Sequence, residues 1–142
     1  PAAKFSEYGI TQVSLDELYA KSDYITLHVP ANAETKNMIN KNTIAKMKDG
    51  VKIINCARGG IVNESDIKEA LDSGKVSGYG ADVFSTEPPA ADNPVLSAKN
   101  TILTPHIGAS TEEAQDNVGV MIANQIKAYI ETKQIINAVN KF

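Results

Sequence analysis

The sequence predicts an α/β fold, a doubly wound parallel sheet with flanking helices. Four short runs rich in β-branched and aromatic residues carry the first signal: 24–29, Val51–Asn55, about 76–83 and 100–104. Each ends in a polar or Gly/Pro-rich stretch, as buried strands do. Segments with helical spacing lie between them, and strands that alternate with helices pair in parallel.

In chain order, residues 10–13 carry a weaker strand signal. Ser14-Leu-Asp-Glu17 has the spacing of a capping box, and Leu15, Leu18 and Tyr19 share one helical face. Residues 40–47 fit a short helix stopped by Gly50. Asn63 fits an N-cap, Glu64 and Asp66 suit the positive end of a helix dipole, and Ile67, Ala70, Leu71 and Gly74 follow at i, i+3, i+4, i+7. Residues 85–98 form a loop rich in Pro and Ala. The last helix is the longest. Ser110 or Thr111 caps it, Glu112 and Glu113 fill its first turn, and Ala114, Val118, Met121, Ile122, Ile126, Tyr129 and Ile130 make one apolar stripe.

Composition narrows the function. The 142 residues are 42% hydrophobic and 22% charged, which is ordinary for a folded chain and fits one domain. A formal charge of -3 offers no basic field for a phosphate backbone, so nucleic acid is not an expected partner. No apolar run approaches the ~20 residues that span a bilayer. The expectation is a soluble, cytoplasmic protein with no membrane partner. One cysteine, Cys56, cannot close an internal disulfide, and with His28 and His106 it supplies too few ligands for a closed metal site.

In open parallel sheets, ligands bind beyond the carboxyl ends of the strands. His28-Val29-Pro30 follows the first strand. Cys56-Ala57-Arg58-Gly59-Gly60 follows the second, Asp82 to Pro88 the third, and Pro105-His106 the fourth. Arg58 offers a guanidinium that forks onto a carboxylate, or is a surface residue of a tight turn. Gly59 and Gly60 allow a close approach of backbone to a ligand. His106 can move a proton near neutral pH, and a carboxylate such as Glu87 beside it fixes the tautomer and raises the imidazole pKa. Asp82 caps backbone amides or holds a polar ligand group such as an amide. Val29 and Pro30 can wall a ring-binding pocket, and Cys56 reads as a small buried apolar residue whose carbonyl can meet a ligand. His28 reads as structural.

Three linked segments carry a resemblance: Asn55 to Val62, Gly80 to Pro88, and Thr104 to Thr111. With Leu27-His-Val-Pro30 and Thr35-Lys-Asn-Met-Ile39, they resemble the D-isomer-specific 2-hydroxyacid dehydrogenase family over nearly the whole chain. The resemblance implies a Rossmann-like fold, NAD as cofactor, a small 2-hydroxy or 2-oxo acid as substrate, and a homodimeric parent. It implies Arg58 on the substrate carboxylate and carbonyl, His106 as acid/base on the 2-oxygen, and Glu87 paired with His106. It implies Asp82 on the nicotinamide carboxamide with help from the Cys56 backbone and Ala57. It also places Val29 and Pro30 on the adenosine side, with Gly108 and Ala109 beside the nicotinamide. Within the family, the run 107–115 and Asn137-Ala-Val-Asn140 are most similar to members that oxidise 3-phosphoglycerate.

The family's opening G-x-G-x-x-G turn does not occur in these residues, and Pro1-Ala-Ala-Lys4 resembles the stretch after its second strand. Residues 1–133 are therefore expected to be a partial NAD-binding domain lacking its Gly-rich first half. Residues 134–142 are expected to lead back toward a substrate domain, and the chain alone is expected to be inactive. A sister dehydrogenase acting on glyoxylate, hydroxypyruvate or lactate is the alternative within the class. A non-catalytic NAD-sensing module of the corepressor type is the alternative outside it.

Overall fold

The structure, a computed structural model, describes Phe5, residues 7–138 and Asn140. The Pro1–Lys4 stretch that carried part of the resemblance lies outside the described residues, as do Val139, Lys141 and Phe142 of the carboxyl-terminal segment. The chain divides into two compact units, Pro1–Pro105 and His106–Phe142.

The first unit is built on a parallel sheet of β1 (Tyr24–Leu27), β2 (Val51–Asn55), β3 (Val76–Ala81) and β4 (Thr101–Leu103), in the order β1-β2-β3-β4. β2 has the bounds its sequence predicts. The other three are shorter, because the ladder stops where the polar strand-end loops begin. Residues 10–13 form no strand. A strand exists only by bonding a neighbour, and β1, next in sequence, pairs with β2. Ile10 and Val13 are exposed instead.

Alternation along the strands decides which residues enter the core. Ile25 and Leu27 of β1, Val51 and Ile53 of β2, and Val76, Tyr79 and Ala81 of β3 are buried, while Tyr24, Thr26 and Lys52 are exposed. The β2–β3 register shifts between Val51 and Lys52: Val51 faces Val76, but Lys52 faces Gly78, so Ser77 is an extra residue. Its hydroxyl donates to Gly50 O at 2.6 Å.

The inward residues meet Tyr19 of α1 (Leu15–Lys21), Ile44 of α2 (Lys41–Ala45), Ile67, Ala70 and Leu71 of α3 (Glu64–Asp72), and Val95 of a 3-10 helix (Pro94–Ser97) in one apolar core. Each helix starts where a side chain caps it. Ser14 Oγ accepts from Glu17 N at 3.2 Å. Asn40 and Thr43 form a reciprocal capping box. Asn63 Oδ1 accepts from Ser65 N and Asp66 N. The face predicted for α1 buries Tyr19 and half-buries Leu18, whereas Leu15 is exposed. α2 ends at Ala45, before Gly50, whose φ of +79° serves the turn into β2.

The second unit carries α4 (Glu112–Thr132), with Thr111 as its N-cap and Lys133, at φ 58°, as its left-handed C-cap. Its predicted apolar stripe is present, but Val118, Met121, Ile122, Ile126, Tyr129 and Ile130 are each at least half exposed. No helix among the described residues is long and apolar enough to cross a membrane.

Candidate active site at the carboxyl ends of the strands

Arg58 sits on a turn that is held from three sides. The buried Asn55, last residue of β2, accepts from Ala57 N at 3.1 Å and donates from Nδ2 to Arg58 O at 3.0 Å. Asn37 N donates to Gly60 O at 2.8 Å, and an isolated parallel bridge joins Ile39 to Val62 just beyond. The third side is Gly59. A Cβ built on it would lie 1.8 Å from Phe84 O and 2.4 Å from Phe84 C. The glycine expected to admit a ligand instead admits the loop after β3, and that correction has a plain cause: the two loops cross with no room for a side chain. Gly60 does serve the turn by conformation, at φ +76°.

Arg58 itself is exposed, and its Nη1 donates to Ala57 O at 2.6 Å. One local bond leaves most of the guanidinium's five donors to other partners. It lines an open cleft of ≈ 470 Å³ with His28, Val29, Pro30, Ala31 and Ala57. That size suits part of a small-molecule ligand. The cleft rim is stiffened by a compact turn: Thr35 Oγ1 donates to Pro30 O at 2.6 Å, and Asn32 Oδ1 accepts from Glu34 N and Thr35 N. His28 and Thr26 hydrogen-bond through Nε2 and Oγ1 at 2.9 Å, consistent with its structural reading.

Asp82 directly follows β3 and is 6% exposed. Its N–H extends the ladder to Asn55 O at 3.0 Å, and its Oδ1 accepts from Thr104 Oγ1 at 2.5 Å. A buried carboxylate at a strand end, partnered by a hydroxyl, suits an incoming amide donor. Glu87 is exposed, and its Oε1 accepts from Phe84 N at 3.0 Å. Cys56 is exposed rather than a small core residue, because it opens the turn instead of ending the strand.

Among the predicted site residues, Val29, Pro30, Ala57 and Arg58 line one cleft. Asp82 and Glu87 belong to the neighbouring loop that touches Gly59. His106, Gly108 and Ala109 belong to the second unit, where His106 has φ 57°. Such a value for a non-glycine residue is uncommon and recurs at functional sites. Local sequence pattern does not mark Thr104 or Glu64 as site residues, and Asn55 carries only a turn signal. Asn55 was legible, since an Asn two residues before a backbone N–H it can accept forms an Asx turn. Thr104 and Glu64 act across distances in sequence that no local pattern carries.

Residues 1–108 match the family described as D-isomer specific 2-hydroxyacid dehydrogenase, NAD binding domain. The chain is 48% identical over 134 residues to a D-3-phosphoglycerate dehydrogenase of Archaeoglobus fulgidus, covering 94% of this chain and 25% of that protein. It is 47% identical over 128 residues to a hydroxypyruvate reductase of Thermotoga maritima, covering 89% of this chain and 42% of that one. The crystal structure of a glyoxylate reductase from Paecilomyes thermophila superposes with a TM-score of 0.81 at 39% identity, covering 94% of this chain and 40% of that one. The chain thus spans about a quarter of the length of the first of these relatives.

Proposed function

The chain belongs to the D-isomer specific 2-hydroxyacid dehydrogenase family through its NAD-binding domain, and from that premise we propose that it is part of an oxidoreductase converting 3-phosphoglycerate and 3-phosphohydroxypyruvate, a step of serine biosynthesis. The observation that carries the reading is Arg58, held on a clamped turn at the mouth of the cleft.

The residues present fit the cofactor. Val29, Pro30 and Ala57 offer an apolar wall, and the buried Asp82 carboxylate, with the Cys56 backbone, offers acceptors for a carboxamide. Gly108 and Ala109 follow the catalytic histidine on the nicotinamide side. NAD, when bound, supplies the hydride chemistry. The protein supplies the rest. Arg58 grips the substrate carboxylate with a forked pair of charge-assisted hydrogen bonds, so that the 2-carbon has one orientation. His106 gives a proton to the 2-oxygen in reduction and takes it back in oxidation. Glu87 fixes the His106 tautomer and favours the imidazolium.

Residues 1–133 are read as part of the cofactor domain and 134–142 as the path toward a substrate domain. The whole protein is read as a cytoplasmic homodimer. The 48% identity to a phosphoglycerate dehydrogenase favours the phosphorylated substrate, while the hydroxypyruvate and glyoxylate reductases keep a second reading open within the same chemistry. The deciding experiment compares kcat/KM of the full-length protein for 3-phosphohydroxypyruvate, hydroxypyruvate and glyoxylate with NADH, in the native protein and in Arg58→Ala and His106→Asn. A preference for the phosphorylated acid, with turnover lost and NADH binding kept in both variants, supports the reading. A preference for glyoxylate or hydroxypyruvate selects the sister activity. Function unaltered by either substitution refutes both and favours a sensor.

A further inference from the structure

The segment from Asp82 to Ser97 carries Glu87 and has no regular structure of its own except the 3-10 helix at its end. What holds it is Glu64, the first residue of α3. Glu64 Oε1 accepts from Ser85 N at 2.8 Å, and Oε2 accepts from Ser85 Oγ at 2.6 Å and from Asn93 Nδ2 at 3.0 Å. One carboxylate therefore ties the loop at Ser85 and at Asn93, and Glu87 lies between these two points in the chain. Asn93 in turn caps the 3-10 helix through Val95 N at 3.1 Å, and the Val95 side chain is 1% exposed, in the core. On the Ser85 side, Phe84 lies against Gly59 and gives its N–H to Glu87.

The dipole of α3 favours a carboxylate at this position, which was its only role visible in the sequence. Yet the capping bonds of α3 come from Asn63, and the Glu64 oxygens turn outward to the loop. Charge-assisted bonds of this kind are the strong ones. We propose that Glu64 is a positioning residue, which acts through Ser85 and Asn93 to hold Glu87 where it serves His106. The inference rests on the pairing of Glu87 with His106 given above.

The test uses the full-length enzyme and the pH dependence of kcat/KM in the reducing direction, with amide exchange at Phe84 as a readout independent of turnover. A carboxylate beside an imidazolium raises its pKa, and reduction needs the protonated ring. Loss of that carboxylate therefore moves the alkaline limb to lower pH. Glu87→Gln is expected to move it by roughly one pH unit. Glu64→Gln is expected to move it the same way, to lower kcat/KM about 10- to 100-fold, and to speed exchange of the Phe84 amide. Asp66→Asn removes a carboxylate from the same helical turn, one that accepts from Lys41 N rather than from the loop. It should leave profile and Phe84 exchange unmoved. If Glu87→Gln moves the limb while Glu64→Gln changes neither profile nor exchange, the inference is overturned and the pairing stands. If neither variant moves the limb, the pairing falls and the role of Glu64 falls with it. Should Glu64→Gln not fold, Ser85→Ala, which deletes a single bond from an exposed residue, must give the smaller shift in the same direction. An unmoved profile there overturns the inference equally.

Discussion

Gly59→Ala is the sharpest test of how the site is assembled. The added Cβ would stand 1.8 Å from Phe84 O, where ordinary contact begins at 3.4 Å, so the Phe84–Ser85 backbone must retreat by about 1.6 Å. A backbone oxygen cannot swing aside as a side-chain tip can. Forcing such a shift costs about 1–3 kcal/mol. It also strains the bonds from Phe84 N to Glu87 and from Ser85 to Glu64. Two other glycines provide the scale. Gly60→Ala meets nothing within 4 Å, but its φ of +76° costs about 1–2 kcal/mol. Gly78→Ala meets Lys52 Cγ at an ordinary 3.6 Å and should be within about 0.5 kcal/mol of neutral. Native-state amide exchange at Phe84 and Ser85 reads the local opening free energy, and kcat/KM reads the site. A displacement above 1 Å predicts about 100-fold lower kcat/KM for Gly59→Ala. Native exchange and native activity in that variant would refute the crossing of the two loops.

Arg58→Lys keeps the charge but loses the fork, and should reduce kcat/KM for the carboxylate substrate by about 10- to 100-fold, seen by steady-state kinetics. Asn55→Ala leaves Ala57 N and Arg58 O without their side-chain partner. It should cost about 1–3 kcal/mol in denaturant titration and raise KM more than it lowers kcat. Burial holds the Tyr79 phenol well above its usual range, whereas the unfolded chain titrates near pH 10. The folded-state pKa is the higher one, so this contribution is complete below roughly pH 10 and is lost above it by about 1.4 kcal/mol per pH unit. Tyr79→Phe should flatten the decline of stability between roughly pH 10 and 11.5. Thr111→Ala removes the acceptor for Ala114 N, and α4 should lose about 1 kcal/mol, detectable as faster exchange in its first turn.

β2 was legible because Val51-Lys-Ile-Ile-Asn55 alternates and then meets a turn-forming run, so local pattern and tertiary pairing agree. Residues 10–13 carry a similar apolar signal with a different outcome, since a strand depends on what bonds its edge. The residue types at the strand ends pointed to Val29, Pro30, Ala57 and Arg58, which line one cleft in the structure. The purpose of Gly59 was not legible: permissive backbone looks the same whether a ligand or the Phe84 loop approaches it. Glu64 was read for the helix it begins, while its partners Ser85 and Asn93 lie 21 and 29 residues away. The stripe of α4 was plain from its period, but periodicity does not say what covers a face.

The extra residue in β3 has an evolutionary consequence. Because side chains alternate with a period of two, Ser77 resets the phase of everything that follows it. It is the reason Val76 and Tyr79, three positions apart, both point into the core. Losing one residue between them would remove the extra residue and leave Val76 and Tyr79 two positions apart, on the same face of a regular strand. A single-residue deletion at Ser77 should therefore be admitted among descendants, at the expense of the bond from its hydroxyl to Gly50 O. Loss of two residues there would leave Val76 and Tyr79 adjacent, and so turn Tyr79 and Ala81 outward.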